Sequence, residues 1–557
     1  MRSGATERKR GGGWRGAAGY GVWLLVLGTV SPVAAAQARR SGGDSLEAVH
    51  LLRRATFGIR SGDVGAVLSQ GRVAWLERQL NPERIADSAM VLRLSAFPLA
   101  GASASELIRD FNPPPAQPGD TMMTAEQRRQ RQQQNPQRIL ADLVGAKLVR
   151  SVWTERQLEE VMTDFWYNHF NVVFNKGLDR FFVSDYERGA IRPHVFGKFE
   201  TMVRATAQHP AMLFYLDNWT SSVPDSMNEA LMARRRVQPG AAAPRGARGI
   251  NENYARELME LHTLGVDGGY TQQDVIEVAR ALTGWTFTRP GQRGARRAAQ
   301  AGRASEGEEV RFVFNPVMHD RGEKVVLGRR LAAGRGIEDG LDVIHLLATH
   351  PSTARHIATK LIERFVTDGA DPEFVAELAA VFTRTEGDLR EVTRALFTSR
   401  RFYASANVGT KIKTPFELVA SAMRATSSEI GPSRPLLETL RGLGQLPYTE
   451  SAPTGFPAAS EEWVNSGAML ARMNFGLNLA SGRIQGIRPA PAASRAQDRP
   501  ADALAEMLGR LMPGMETTAL SQSILADLTA SQADSPPRAR AARALGLALG
   551  SPEFQRK

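Results

Sequence analysis

Apolar residues return every three to four positions over most of this chain, whereas alternating runs of β-branched residues are short and few. That pattern predicts a mainly α, multi-helical globular fold with at most a short β-hairpin. Asp44 or Ser45 stands where an N-cap belongs before Leu46, Val49 and Leu52, and Gly58 is placed to end that helix. A second helix is expected from Ser61, and a third carries Val73, Leu76 and Leu80 up to Pro82. Helical spacing resumes from Gln137 to Thr163 and leads into the aromatic run at 165–172. Another helix is expected over 190–208, and Pro210 opens the next in its first turn. Regular helices fill 340–403 and 414–426, while 310–314 and 324–327 read as the two strands of a hairpin. No segment repeats at a fixed period, which argues against a solenoid.

The pattern fails in a few places. Residues 113–136 are rich in proline and glutamine, 234–249 and 289–309 are of low complexity, and 484–501 are a Pro/Ala/Arg linker. The first three are expected as disordered inserts in a helical domain over 39–483, and the linker as the start of a helical tail over 484–557. At the N-terminus, Arg2, Arg8, Lys9, Arg10 and Arg15 precede the apolar run Val22–Val30 and the small residues Ala34–Ala38. This is the order of a signal peptide over 1–38, with the mature chain beginning near Gln37 or Arg39. The apolar run falls short of the ~20 residues a membrane span needs. The arginines are scattered and no cysteine follows, so general export to the periplasm or beyond is expected, without lipid or transmembrane anchor.

Composition narrows the chemistry. The first thirty-six residues hold five basic side chains and one acidic, so their removal takes the formal charge from +12 to +8. Much of that excess sits in the inserts, as at Arg234–Arg236 and Arg289–Arg303, without the interleaved aromatics that stack on bases, and no nucleic-acid partner is expected. An exported chain with no cysteine has no disulfide framework and must stabilise itself by burial. There is no Walker loop, no dinucleotide fingerprint after a strand and no Gly-x-Ser-x-Gly elbow, so no nucleotide cofactor is expected and a serine hydrolase loses ground.

The stretch NENYARELMELHTLGVDGGYTQQDVIEVARALTGW at 251–285 resembles the bacterial family called domain of unknown function 1800. The resemblance extends to LLRRATFG at 51–58, FWYNHFNV at 165–172, HPAMLFYLDN at 209–218, HDRGEKVVLG at 319–328, HPSTARHIATKLIERFV at 350–366 and GDLREVTRALFTSRRF at 387–402, and so runs to about Ala480. It implies an exported bacterial protein of unestablished reaction. It also implies a possible exported partner from domain of unknown function 1501, a family that looks like the sulfatases and alkaline phosphatases.

If the helix in the 251–264 block is regular, Asn253, Arg256, Glu257 and Glu260 share one face while Tyr254, Leu258 and Leu261 take the opposite one, with His262 near the core side. Leu264 covers the lower end of the polar face, and Gly265 ends the helix as a left-handed cap. Glu257 and Glu260 can serve as general base and acid or hold a divalent metal; the plain alternative is a salt-bridged surface. Thr271 and Asp274 form a capping box ahead of a buried stripe of Val275, Val278, Ala279 and Leu282. His169 among aromatics, the His319–Asp320 loop, Asp217 and Asn171 are the polar candidates elsewhere. Two of these have a structural alternative: a core histidine for His169, and turn chemistry for His319 and Asp320. His209 and His350 each precede a proline that starts a helix, which accounts for them without function. The loop Pro453–Pro457 feeding Trp463 either closes the core or holds a ring ligand. Two readings of function follow: a hydrolase with a carboxylate- and histidine-lined cleft, or a non-catalytic envelope protein whose polar helix face docks a partner.

Overall fold

Two helices in the middle of the molecule are buried on every side. In helix Ala125–Trp153 the burial is nearly continuous from Ile139 to Val152, and in helix Pro415–Ala425 every residue from Pro415 to Arg424 is buried. Hydrophobic residues all round a helix mark it as core rather than amphipathic surface, and these two pack against each other. The computed structural model describes residues 32–111, 125–224, 249–288, 309–490, 500–531 and 535–557. The basic and apolar parts of the expected signal peptide lie outside them, as do 113–124, nearly all of the inserts at 234–249 and 289–309, and the middle of the linker. Residues 125–136, expected within the first insert, belong to helix Ala125–Trp153.

The mainly α architecture is as the periodicity predicts, with local differences. Helix Pro32–Ala55 runs through Asp44 and Ser45, so neither is an N-cap. The helix expected over 190–208 is broken: a π turn Glu187–Ile191 and a 3-10 turn Arg192–His194 precede helix Phe199–Ala207. Pro193 lacks the N–H that a continuous helix needs. The expected hairpin is also re-paired. Phe312–Phe314 joins Trp285–Phe287, while Lys324–Val326 turns back on Arg329–Leu331, and Glu429–Ile430 pairs with Ile487–Arg488. Leu327 and Gly328 both have positive φ, 49° and 78°, as a tight two-residue hairpin requires, so the strand at 324 is closed locally. His209 and His350 cap the helices they precede, each ring accepting a backbone N–H at 3.1 Å.

The tail is built into the same compact unit, residues 45–557. Helix Ser466–Ala480 lies against helix Pro537–Gly550 with glycines at the crossing: a Cβ on Gly476 would stand 2.7 Å from the Gly546 carbonyl and 2.9 Å from the Gly550 nitrogen. The last residues then pair with 411–413 in an extended run. Lys413 N donates to Gln555 O at 2.8 Å and Lys557 N to Lys411 O at 2.9 Å, while buried Arg472 donates to Lys413 O and the Gln555 side chain. Among the described residues no helix is long and apolar enough to cross a membrane. Because Gly476 faces backbone, which cannot swing aside, Gly476→Ala is expected to destabilise the fold by about 1–3 kcal/mol, read from the midpoint of chemical denaturation.

Candidate functional site

A cavity of about 560 Å³ opens beside the two central helices. Its walls come from the end of helix Gln157–His169, from helix Pro351–Phe365, from the run 411–416 and from the loop 445–462. The FWYNHFNV motif explains how that loop is held. The Asn168 side chain accepts from Phe456 N at 2.8 Å and donates to Phe456 O at 2.9 Å, while the Asn171 amide donates to Glu450 O and Ala452 O at 3.0 and 2.8 Å. Gly455 has φ 73°, and a Cβ there would lie 2.3 Å from Asn168 O, so the close approach requires glycine. The loop both closes the core and faces the cavity: Trp463 is buried and donates to Pro457 O at 3.2 Å, while Phe456 lines the wall.

Most charges around the cavity are paired. The Lys147 ammonium sits between the rings of Tyr167, Phe416 and Tyr448, 5.4–5.9 Å from their centroids, and pairs with Asp164 at 3.0 Å and Glu187 at 3.6 Å. Glu187 also accepts from Tyr448 Oη at 2.8 Å and pairs with Arg192 at 3.1 Å. Burial by itself would raise the Glu187 carboxyl, but Lys147 and Arg192 outweigh it and hold the pKa down at about 2. Arg364 bonds Glu417 at 2.5 Å, Lys557 reaches the same carboxylate, and Lys411 pairs with Asp368 at 2.5 Å.

Lys360 and Glu363, three residues apart on helix Pro351–Phe365, are different. Both line the cavity, both are half-buried, and neither has a hydrogen bond or an ion pair within 4 Å among the described residues. Burial lowers the Lys360 pKa against the opposing pull of Glu363, and burial raises that of Glu363 against Lys360 and Lys411.

His169 forms the cavity floor nearby. Its Nε2 lies 3.0 Å from His262 O and therefore carries the proton, which leaves Nδ1 buried without a partner. Burial, then the neighbouring Lys360 and the imidazoles of His356 and His262, hold His169 well below the ordinary histidine range. The acceptor carbonyl is presented by a π turn, Leu258–Thr263, and His356 Nε2 meets Leu261 O of the same turn at 3.0 Å. Three of the motif blocks thus meet at one place. Among the described residues no three histidine, aspartate or glutamate side chains converge as metal ligands.

The other candidates are distributed. Asn171 joins His169 at the cavity, but Asn253, Arg256, Glu257 and Glu260 lie outside its walls. The helix is α only over Asn253–Glu257, and the π turn shifts the faces beyond it, so Leu261 is half-buried rather than core while Tyr254, Leu258 and His262 are buried. Leu264 is buried, Gly265 has φ 86°, and the Thr271–Asp274 box forms ahead of its buried stripe. Glu257 and Glu260 are half-buried without ion pairs; burial and then Glu260 raise the Glu257 pKa. Arg256 bonds Gln272 at 2.9 Å and Glu252 at 3.4 Å. Asp217, at φ 59°, pairs with Lys176 at 2.9 Å. His319 and Asp320 stand in a separate buried clasp, in which His319 Nδ1 meets Thr283 O at 2.9 Å, Asp320 takes Arg280, and fully buried Lys324 joins Asp339 at 2.7 Å. The sequence reading missed Lys360, Glu363 and Lys147. The available signal was KLIER within 350–366, charges set into a helix whose Ile357, Leu361, Ile362 and Phe365 are all buried.

The Glu187 network sets a pH dependence. With its folded pKa near 2 against an ordinary 4.5, its contribution is complete above pH 4.5 and is lost as pH falls toward 2. Glu187→Gln is expected to cost about 1.5–3 kcal/mol at neutral pH by removing one charged partner each from Lys147 and Arg192, which keep Asp164 and Glu160, and to flatten the acid limb of stability between those pH values, as measured by denaturant titration.

No curated protein and no solved structure matches this chain. The family model described as "Protein of unknown function (DUF1800)" matches residues 50–556, reaching through the tail well past Ala480, where the motifs alone had placed its end. With the match covering nearly its whole length, the chain belongs to the DUF1800 family.

Proposed function

We propose that the protein is exported and acts as a hydrolase in this cavity, with Glu363 as its acid–base group. The observation that carries the reading is a half-buried carboxyl facing a cavity of ligand size without a partner, while the aspartates beside it are ion-paired. A carboxyl whose proton affinity is raised by burial can give a proton to a leaving group and take one from an attacking water. His169 and Asn171 contribute as parts of the wall, His169 as a neutral ring and Asn171 by holding the loop. Export rests on the order of basic, apolar and small residues before Arg39.

A second reading is favoured by one separate observation. Glu257 and Glu260 are partly exposed and without an ion pair among the described residues, away from the cavity, so they present negative charge to a partner. The sulfatase-like exported protein of domain of unknown function 1501 is the partner this reading names, and a divalent metal bound by the pair is its small-molecule counterpart.

Three measurements test these readings. Expression with the native N-terminus should yield a periplasmic or secreted product starting near Gln37 or Arg39; a cytoplasmic product retaining Met1 overturns export. The mature protein screened against ester, amide, phosphoester and glycoside substrates should turn over at least one class, with Glu363→Gln lowering kcat/KM by about 10²–10⁴. No turnover across the panel, or turnover indifferent to Glu363→Gln, overturns the hydrolase. For the second reading, Glu257→Gln with Glu260→Gln should abolish partner co-purification or stoichiometric metal while leaving the thermal transition in place.

A further inference from the structure

Five basic side chains line the cavity, and four of them are already committed: Lys147 to Asp164, Arg364 and Lys557 to Glu417, and Lys411 to Asp368. Lys360 is left over. It is the lining cation without a carboxylate within 4 Å among the described residues, on a rigid helix beside the His169 floor. A half-buried ammonium without a counter-ion in contact is an incomplete arrangement, since burial disfavours the charge and the pull of Glu363, beyond 4 Å, does not offset it. The nearby rings do not compete for an anion. Burial lowers His262 to about 3 and His356 to about 4, so both are neutral near pH 7, and the ring N–H groups of His169 and His356 already face backbone carbonyls.

We propose that the cavity binds an organic anion through Lys360, with a carboxylate or phosphate group seated on its ammonium and the body of the ligand against the aromatic wall. The cavity is far larger than a lone carboxylate or phosphate, and Phe165, Phe456 and Tyr448 line the remainder, so the charged group belongs to a larger molecule with a ring or apolar part. The acidic residues do not forbid this. Asp164 and Asp368 are neutralised by their partners, and burial raises the proton affinity of Glu363, which weakens its repulsion of an anion. This deepens the hydrolase reading by naming the charged group of its substrate, and Lys360 is its binding residue.

The test is equilibrium binding to the mature protein, by calorimetry and thermal shift. The probes are benzoate and phenyl phosphate, their neutral counterparts benzamide and benzyl alcohol, and inorganic phosphate. At least one aromatic anion should bind at least tenfold more tightly than its neutral counterpart and than inorganic phosphate, and which one prevails identifies the carboxylate or the phosphate source. Lys360→Met should weaken that binding at least tenfold, Lys360→Arg should restore most of it, and Glu363→Gln should retain it within about threefold. Retention in Glu363→Gln separates this inference from the reaction, since a catalytically dead protein still binds. Equal binding of neutral and anionic probes overturns the proposal. So does undiminished binding in a folded Lys360→Met protein, or no anion binding up to about 10 mM.

Discussion

The fold depends on placing charge inside a dry core and neutralising it there. The two central helices are buried on all sides, yet they carry Lys147, Glu417 and Arg424. A lone charge at such depth costs several kcal/mol, and only close partners with satisfied hydrogen bonds offset it. Each charge therefore recruits a distant piece of chain. Lys147 draws in Asp164 and Glu187, Glu417 draws in Arg364 and Lys557, and Arg424 holds Asp63 at 3.0 Å while donating to Gly58 O and Val152 O at 2.7 Å. The LLRRATFG motif ends where it does for this reason: Gly58 rests on Ser421 of the central helix so closely that a Cβ would stand 2.7 Å from the serine Cβ. The tail belongs to the same arrangement, since Lys557 joins Arg364 on Glu417.

These ion pairs also make the cavity. Helix Pro351–Phe365 reaches across with Arg364 to Glu417, and the preceding turn of the same helix is thereby aimed at the cavity with Lys360. Opposite, Asn168 and Asn171 fasten the loop that carries Phe456, spending their amides on its backbone and leaving no freedom for the wall. Structure and candidate chemistry are thus carried by neighbouring residues on the same elements. The charges on the two central helices are held by partners, while Lys360 and Glu363 face the cavity.

Much of the helical framework was legible in the chain because a helix that buries one face repeats its apolar residues at 3.6, and caps and glycines mark its ends. The Thr271–Asp274 box, the Gly265 cap and the stripe from Val275 to Leu282 were all readable for that reason. Legibility failed where a local rule was overridden. The strand at Lys324 turned back on its own neighbour because Leu327–Gly328 makes a tight turn, while Phe312–Phe314 paired across an insert with Trp285–Phe287, a choice that no alternation pattern encodes. The helix from Asn253 was read as regular, and a π turn of six residues after Glu257 leaves Leu261 half-buried rather than in the core.

The candidate site was harder to read for a physical reason that concerns partners. Glu257, Glu260, His319 and Asp320 stood out because they sit among their own kind in sequence, yet local density of polar groups says nothing about which remain unpaired. Asp320 is consumed by Arg280, forty residues away, and Asp339 by Lys324 and Arg335. Lys360, in contrast, sits in a helix where Arg355, Glu363 and Arg364 make it look like one more solvated charge. Its distinction is that the carboxylates that could have neutralised it, Asp164, Asp368 and Glu417, are already held by Lys147, Lys411 and Arg364. That is a property of the assembled set of pairs, and it appears only when the cations around the cavity are matched with their carboxylates and Lys360 is left without one within 4 Å among the described residues.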